Sequence, residues 1–493
     1  MILLGYIMAA LAALAAIVLS STHRRMNAAC ILHAALTVVL TVYVLLFQQV
    51  PVASFLIGSH FFFMDRLGLY EVLIASVIFT CAAVYAGGYV ESLLSSKELD
   101  QGSLKLFYSS WTMLLLVLVL AFFCDNLALF WICAELTTIL SALLVAILSA
   151  RENIDAAIKY IFIASASMLF SFVGLIFLFE TSRTVLGTGT LNWTALMQHA
   201  SAFPAGMALA AFALVFMGFA AKSGIFPFHT WLPEAHAKAP SAVSAVLSAV
   251  LLNVGIYGIL RVYAIVHQTT AAATIAPLLA VFGFFTVGIA AFSMLPQKNL
   301  KKLVAFSSVE NMGLILIGIA VSTPLAIFWV LFHIMAHSLT KASLFFSAGI
   351  LHRQYRSRLS TDADDEIRDV FRLQPLAAWG IIIGGLAITG MPLFPVFFSK
   401  LFILRELGQA SMPALFLLLV LLFVIASALG YFVIAAFCRV TEAGASSDIV
   451  PYVTPLTMKI PLVLLIGLII ITGVVFTRGE TAFFEGIVQE LRF

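Results

Sequence analysis

The chain has 493 residues, of which 63% are apolar and only 10% are charged, and its formal net charge is +3. Soluble domains carry about 25% charged residues, and no soluble fold hides this much apolar surface. The composition therefore excludes a soluble enzyme, gives no reason to expect a nucleic-acid partner, and predicts an all-α polytopic membrane protein in contact with the lipid bilayer.

Apolar runs long enough to cross a bilayer recur along the whole chain, and about 20 residues suffice for one helical crossing. We predict about fourteen transmembrane spans, numbered 1 to 14 in chain order: residues 2–20, 28–48, 66–90, 104–123, 127–149, 157–180, 205–223, 241–263, 273–295, 302–321, 324–350, 375–404, 413–437 and 459–477. The twelfth run is too long for one simple span. The five cysteines lie in or beside these runs without metal-ligand spacing, so no disulfide framework, metal or other cofactor is predicted.

The distribution of Lys and Arg predicts the orientation, because short cytoplasmic loops are enriched in basic residues. With the N-terminus outside, 17 of the 26 Lys and Arg residues fall in inner loops, 6 fall on the outer side and 3 lie within spans. This asymmetry supports an even number of spans in the inner (cytoplasmic) membrane, with both termini in the periplasm or its equivalent.

The first buried charges lie in spans 5 and 7. Glu135 is well inside span 5, and Lys222 is close to the end of span 7, shortly before Pro227 interrupts the helix. A short amphipathic segment, His229 to Lys238, follows this break. Interrupted helices at membrane depth line protein or a water-filled cavity, and an ammonium group beside such a break indicates an ion path. The alternative is that Lys222 merely extends to the nearby interface.

Glu135 and Lys222 are predicted to work as a pair. A charge at the centre of a bilayer costs about 3 kcal/mol, so several in one chain indicate mutual pairing or a hydrated interior. An acid and a base in this setting can exchange a proton when their spacing or hydration changes. We therefore expect a proton switch between Glu135 and Lys222, and we note that Glu310 lies at a comparable depth in span 10.

Span 11 carries three ionisable residues spaced four apart, His333, His337 and Lys341. This spacing places them on one helix face, and imidazoles titrate near neutral pH, so the stripe is suited to relaying protons. Two alternatives remain. A zinc site would use both histidines, but no third ligand follows at ligand spacing on this helix. The histidines could also be a packed, hydrogen-bonded pair.

The one long polar loop, His352 to Gln374, has a basic half and an acidic half. Such a segment is predicted to form a short amphipathic helix on the cytoplasmic face. There it would either dock a soluble partner or serve as a solvated connector.

A second helix break follows in span 12, where Pro392 and Pro395 precede an intramembrane lysine, Lys400. At the first break the lysine comes before the proline, and at the second it comes after. Reversed order is expected of inverted repeats, whose discontinuous helices approach the midplane from opposite sides. We therefore predict two inverted five-helix repeats with discontinuous spans 7 and 12. The predicted sections are three leading helices in residues 1–103, repeats at 104–263 and 273–437, and a last helix and tail at 459–493.

Several of these segments resemble a known family. The string KSGIFPFHTWLPEAHAKAPSAVSAVLSAVLL resembles the signature of the antiporter-like subunits of complex I and of the Mrp cation/proton antiporters. The strings KNLKKLVAFSSVENMG, HIMAHSLTKASLFFSAG and GMPLFPVFFSK do so as well. The variant SSVEN, which contains Glu310, is most similar to the subunits of group 4 membrane-bound hydrogenases, the hydrogenase-4 and formate hydrogenlyase type.

The resemblance implies a proton path through the membrane. Its implied members are, in chain order, Glu135, Lys222, Glu310, His333, His337, Lys341 and Lys400. One departure matters, because many members have a lysine on span 8 where this chain has Asn253. An asparagine can hold a water molecule but cannot carry a proton. His229 and Asn253 are expected beside the path rather than in it.

The implied function is proton translocation by an antiporter-like subunit of a redox-driven respiratory complex, of the membrane-bound hydrogenase or NADH-quinone oxidoreductase type, without redox chemistry of its own. The expected partners are further antiporter-like subunits and a quinone-site or hydrogenase-anchoring subunit, with a soluble redox arm acting indirectly. Two alternatives stay open: a subunit of a multi-subunit Na⁺/H⁺ antiporter of the Mrp type, and a scaffold whose channel is vestigial.

Overall fold

The structure, a computed structural model of the chain, describes residues 2–56, 59–148, 150–355, 369–437, 451–475 and 478–493. The α-helices are α1 (Ile2–Leu19), α2 (His23–Phe47), α3 (Arg66–Ser95), α4 (Leu104–Phe122), α5 (Leu127–Ala146), α6 (Arg151–Leu186), α7 (Trp193–His199), α8 (Ala205–Lys222), α9 (Trp231–Lys238), α10 (Ser241–Val246), α11 (Leu252–His267), α12 (Ala272–Met294), α13 (Leu300–Val321), α14 (Pro324–Tyr355), α15 (Val370–Leu373), α16 (Pro375–Thr389), α17 (Pro395–Ala410), α18 (Met412–Phe437), α19 (Leu456–Val474) and α20 (Arg478–Glu490). The strands β1 (Val52–Leu56) and β2 (Ser59–Met64) form an antiparallel hairpin between α2 and α3.

The predicted fold class is confirmed. Within the described ranges, 13 helical segments are long and apolar enough to cross a membrane, and Ser241–His267, which contains α10 and α11, is one of them. The remaining predicted span is divided into the shorter apolar helix α16 and the helix α17. The chain is therefore an all-α, multi-pass membrane protein. Its division into two inverted repeats stays a prediction.

Several helix starts follow from local sequence. A helix leaves its first backbone N–H groups without partners, and a side-chain oxygen just before the helix can accept from them. In α3, α5 and α13 the residue before the helix supplies this oxygen to backbone N–H groups of the first turn; these residues are Asp65, Asn126 and Asn299.

Both predicted helix breaks are present. The helix α8 ends at Lys222, and Gly224 follows with φ +67°. The helix α16 ends before Gly390, which has φ +88°, and Pro395 is the first residue of α17. Glycine adopts these left-handed conformations without the strain of a Cβ atom, and proline suits a first helical turn because its missing N–H would have no partner there.

The centre of the molecule is formed by α10, α11 and α14. In the most apolar window of Ser241–His267 every residue is buried, whereas the corresponding windows of α1, α2 and α18 are only 33% buried. The peripheral helices expose Leu, Val and Phe side chains, which is typical of a lipid-facing surface. Between α10 and α11, residues Leu247–Leu251 form a π-helical turn, a distortion that is frequent at functional sites.

One end of the bundle is held by ion pairs. Arg261 of α11 makes two contacts with the carboxylate of Asp65, at 2.6 and 2.7 Å, and its guanidinium lies 4.4 Å from the ring centre of Trp193. The neighbouring Arg66 contacts Glu490 of α20 at 2.6 Å. These contacts join α3, α7, α11 and α20, and all of these contacts lie at the end that carries the predicted outer loops.

Two connecting segments, residues 49–65 and 352–374, are not helical spans in the sequence analysis. The hairpin of β1 and β2 lies between the predicted spans 28–48 and 66–90, where no regular element is predicted from the sequence. In the polar loop 352–374, residues 356–368 are outside the part of the chain that the structure describes. Most of the amphipathic helix and docking surface predicted for this loop falls on those residues. Residues Val370–Leu373 form the single turn α15.

Candidate ion-conducting site

A buried ion pair lies beside the second helix break. Lys400 Nζ of α17 is 3.0 Å from Glu310 Oε1 of α13, and both side chains are buried. The same ammonium group donates to the carbonyl oxygen of Ile388 at 3.0 Å. Ile388 lies in the last turn of α16, where carbonyl groups lack partners within the helix and carry partial negative charge. The break thus supplies an acceptor for the lysine.

The ion pair continues into a hydrogen-bonded network. Glu310 Oε2 accepts from Asn311 Nδ2 at 2.5 Å, and Asn311 Oδ1 lies 2.9 Å from His333 Nε2. His333 Nδ1 lies 2.8 Å from the hydroxyl of Ser399, the residue before Lys400. Both ring nitrogens of His333 are therefore hydrogen-bonded within this network. In this conformation His333 has no free ring nitrogen with which to bind a metal ion together with His337.

Lys341 and His337 complete the stripe on α14. Lys341 Nζ donates to the carbonyl of Val304 at 2.9 Å and to the hydroxyl of Ser307, both on α13. His333 and Lys341 therefore reach the same neighbouring helix. His337 is fully buried between them, and its two ring nitrogens have no hydrogen-bond partner among the described residues.

In the first half of the chain, Lys222 of α8 contacts the helix that carries Glu135, but the two side chains do not form an ion pair. Lys222 Nζ donates to the carbonyl of Ala134 at 3.0 Å and to the hydroxyl of Thr138 at 2.6 Å, both on α5. Glu135 is also on α5, and its Oε2 accepts from Ser165 of α6 at 2.9 Å. Its Oε1 has no partner within the described part of the chain. The two predicted partners are thus adjacent in an open arrangement, unlike Glu310 and Lys400.

The remaining predicted residues frame the breaks. Pro227 lies in the turn after α8, and His229 packs its ring against Phe226 with centroids 6.1 Å apart. Pro392 is exposed within the second break, while Pro395 is buried at the start of α17.

Asn253 of α11 lies between the end of α8 that carries Lys222 and the helix α14. Its Nδ2 is 3.3 Å from Ser338 Oγ of α14 and 3.3 Å from the carbonyl of Ala249 in the π-helical turn. The hydroxyl of Ser338 donates to the same carbonyl at 2.6 Å. On the other side, Ser223, which follows Lys222, donates to the carbonyl of Leu252 at 3.0 Å. The amide of Asn253 therefore stands between the Lys222 end of α8 and the stripe on α14.

A cavity of about 920 Å³ lies at the end of the bundle that carries the predicted inner loops. Its charged lining includes Lys97, Glu98, Glu152, Glu234, Lys238 and Lys301. Ion pairs join Lys238 to Glu152, and Lys159 to Glu234 at 2.7 Å. Ala348 of α14 also lines the cavity, seven residues beyond Lys341, which corresponds to about 10 Å along a helix. The cavity brings water close to the buried stripe.

Three of the buried ionisable residues that sequence reasoning missed lie near the proposed path or the cavity. Glu71 of α3 contacts Asn253, and Lys301 of α13 donates to the carbonyl of Ala239 at 3.0 Å. His236 of α9 stacks on Phe345 at 5.1 Å, and neither of its ring nitrogens has a partner among the described residues. Lys301 was counted among the basic residues of the inner loops, and His236 lies in the segment predicted to be amphipathic. A single acid six residues into span 3 was the signal for Glu71.

Gly390 holds the second break in the shape that Lys400 requires. It has φ +88°, and a Cβ atom there would lie 3.1 Å from Lys400 Cδ. We expect Gly390→Ala to lower the free energy of unfolding by about 1–2 kcal/mol, because a side chain is strained in this left-handed conformation. An SDS titration in mixed micelles measures this change.

Gly430 provides the matched control, since it lies within α18 and nothing surrounds its Cβ position within 4 Å. Gly430→Ala should leave stability unchanged or raise it, because alanine favours a helix interior over glycine. Equal stability of the Gly390→Ala protein and the wild type would show that the break tolerates a side chain.

The chain is similar to a known family of membrane proteins and to components of hydrogenase-4. Residues 124–427 match the family described as NADH:quinone oxidoreductase/Mrp antiporter, transmembrane. The chain is 31% identical over 364 residues to a hydrogenase-4 component F homolog of Methylacidiphilum infernorum, covering 73% of this chain and 74% of that protein. It is 30% identical to hydrogenase-4 component B of Escherichia coli, covering 71% of this chain but only 51% of that longer protein.

Three solved membrane complexes contain chains of the same fold. The archaeal membrane-bound sulfane sulfur reductase gives a TM-score of 0.84 at 20% identity and covers 100% of this chain and 96% of its own. The Mrp complex of Dietzia sp. DQ12-45-1b gives 0.82 at 18% identity, covering 99% and 96%. Respiratory complex I of Thermus thermophilus gives 0.80 at 20% identity, covering 100% of both chains. At these identities the likeness concerns the fold.

Proposed function

This chain belongs to the NADH:quinone oxidoreductase/Mrp antiporter family of transmembrane subunits, and from that premise we propose that it translocates protons as an antiporter-like subunit of a redox-driven membrane complex. The observation that carries this proposal is the buried network of Lys400, Glu310, Asn311 and His333. Charges at membrane depth are expensive, and their common use is to pass ions or protons.

The second-half network can hold a proton at several atoms. Glu310 and Lys400 exchange one along their 3.0 Å contact, and His333 can carry one on either ring nitrogen. Asn311 links them by hydrogen bonds without taking up a proton itself. His337, whose ring nitrogens have no protein partner, connects this network to Lys341 through water.

The first-half pair serves as the switch. Lys222 is held by a carbonyl and a hydroxyl on α5, the helix that also carries Glu135, whose Oε1 has no partner among the described residues. Rotation of the two side chains toward each other would form an ion pair that favours the ammonium. Its opening would release the proton toward the centre of the molecule. Free energy from redox chemistry elsewhere in the complex would drive this cycle.

The relatives named above are components of multi-subunit membrane complexes, and the chain itself is a multi-pass membrane protein. The finer placement is part of the proposal. The excess of Lys and Arg in the loops after odd-numbered spans supports an inner-membrane location with both termini in the periplasm. The proposed neighbours are further antiporter-like subunits and a quinone-site or hydrogenase-anchoring subunit.

A second candidate is a subunit of a multi-subunit Na⁺/H⁺ antiporter, which the fold shared with the Mrp complex favours. The two candidates differ in the driving force. A redox-driven subunit moves protons when electrons flow, with or without sodium, whereas an antiporter moves protons in exchange for sodium.

Inside-out membrane vesicles containing the whole complex separate these candidates. The vesicles are energised with hydrogen and, separately, with NADH, and proton uptake is followed with a ΔpH-sensitive dye. We expect donor-driven uptake to be the same when choline replaces sodium. A sodium pulse without any donor should give no more proton movement than vesicles that lack this chain. Proton movement that occurs only with the sodium pulse would instead identify the antiporter.

A further inference from the structure

Glu71 is a buried carboxylate outside both predicted repeats. It lies in α3, one of the three leading helices, and is only 2% exposed. Its Oε2 accepts from Asn253 Nδ2 at 3.2 Å, and no ion pair between described residues includes it. The neighbouring Tyr70 donates to the carbonyl of Leu331 at 2.5 Å, which fixes this part of α3 against α14.

Asn253 connects Glu71 to the proposed path. The nitrogen that contacts Glu71 is also 3.3 Å from Ser338 Oγ, and Ser338 follows His337 on α14. Three polar atoms of this region are buried without a partner among the described residues, namely Asn253 Oδ1 and both ring nitrogens of His337. Buried polar atoms are ordinarily satisfied by protein or by water, so this junction is suited to hold ordered water.

The amide of Asn253 suits a carboxyl group that changes its protonation state. Its NH₂ group donates to a carboxylate, as in the structure, and its carbonyl oxygen accepts from a protonated carboxyl group. A half-turn of the amide exchanges the positions of its NH₂ group and its oxygen. The oxygen that would then face Glu71 is Asn253 Oδ1, which has no partner among the described residues. A purely structural contact would need only one of these states.

We infer that Glu71 is the proton-carrying group at the junction of the two halves, with Asn253 as its positioning residue. The inference rests on the proposed function. The path from Lys222 to His337 crosses α11, where Ser223 contacts Leu252, and the side chain presented next to this contact is Asn253, which does not titrate. Glu71 binds one proton at a carboxylate oxygen as the O–H bond forms, and passes the same proton on toward α14 as that bond breaks.

Isosteric variants test this role in the vesicle assay, with the whole complex present. Glu71→Gln keeps the shape and can still bond to Asn253, but it cannot take up a proton. We expect it to abolish donor-driven proton uptake while electron transfer and the amount of assembled complex stay normal. Adding Asn253→Asp returns a carboxyl group to the other side of the same hydrogen bond, so the double variant should recover uptake.

Glu91→Gln is the matched control, since Glu91 lies on the same helix, pairs with Arg24 and is 59% exposed. It should leave uptake unchanged. Normal uptake in Glu71→Gln would overturn the inference, and so would a loss that Asn253→Asp does not restore. Lys222→Ala, measured in parallel, distinguishes a failure of the role of Glu71 from a failure of the proposed function. If Lys222→Ala stops uptake and Glu71→Gln does not, only the role of Glu71 fails; if both pump normally, the proposed function fails.

Discussion

Lys222→Ala is expected to reduce donor-driven proton uptake to background while leaving the complex assembled. In the proposed switch the Lys222 ammonium gives the proton to the junction. Its present partners, the carbonyl of Ala134 and the hydroxyl of Thr138, remain satisfied within or near α5 when it is removed. The vesicle assay measures uptake, and the yield of complex captured in mild detergent measures assembly.

Lys222→Arg sharpens this prediction, because arginine keeps the positive charge but stays protonated in proteins. If Lys222 must release its proton, the arginine variant should also fail. The control is Lys105→Ala, since Lys105 is exposed and its ammonium donates only to the carbonyl of Val18. Normal uptake in Lys222→Ala would contradict the proposed function directly. Normal uptake in Lys222→Arg alone would show that charge, and not proton release, is what this position supplies.

Breaking the ion pair of Glu310 and Lys400 should have the largest effect on stability. Removing one partner of a buried pair leaves an uncompensated charge, which costs about 3–5 kcal/mol. We expect Glu310→Ala to lower the free energy of unfolding by this amount, because the Lys400 ammonium then keeps only the Ile388 carbonyl. Lys400→Met combined with Glu310→Ala should recover much of the loss, because no charge is left unpaired. SDS titration of the two single variants and the double variant gives the coupling energy.

Proton uptake by the same variants should not follow their stability. Both single variants and the double variant should lose proton uptake, since stability returns in the double variant but the titratable groups do not. Glu91→Ala removes one partner of an exposed pair with Arg24 and should change stability by less than about 0.5 kcal/mol. A stable double variant that still pumps would show that the pair is structural only.

The features that sequence predicted are those set by local pattern. The lengths of the apolar runs predicted the spans, and proline marked both helix breaks. The four-residue spacing of His333, His337 and Lys341 predicted one shared helix face, and in the structure His333 and Lys341 both contact α13. Each of these depends on helix geometry within one segment, which the chain determines without reference to its neighbours.

Contacts between distant helices could not be predicted in the same way. These helices are apolar on nearly all sides, so the sequence does not show which face of α3 turns toward α11, and the contact of Glu71 with Asn253 stayed hidden. The same limit applies to the predicted pair of Lys222 and Glu135, since the sequence does not show that Lys222 contacts Ala134 and Thr138 in this conformation. Which neighbour a long side chain reaches depends on helix rotation and on angstrom-scale offsets.

The cavity at one end of the bundle also determines where the membrane voltage acts. Water and ions in a 920 Å³ opening stay near the electrical potential of the compartment they face, so little of the voltage falls across that depth. The opposite end carries the Arg261–Asp65 pair and α20, and the field falls mainly across the packed protein between the two ends. One elementary charge that crosses a full 100 mV exchanges about 2.3 kcal/mol. Along the proposed path, proton steps beyond Lys341 would therefore bear most of this electrical work, while loading from the cavity would be nearly electroneutral.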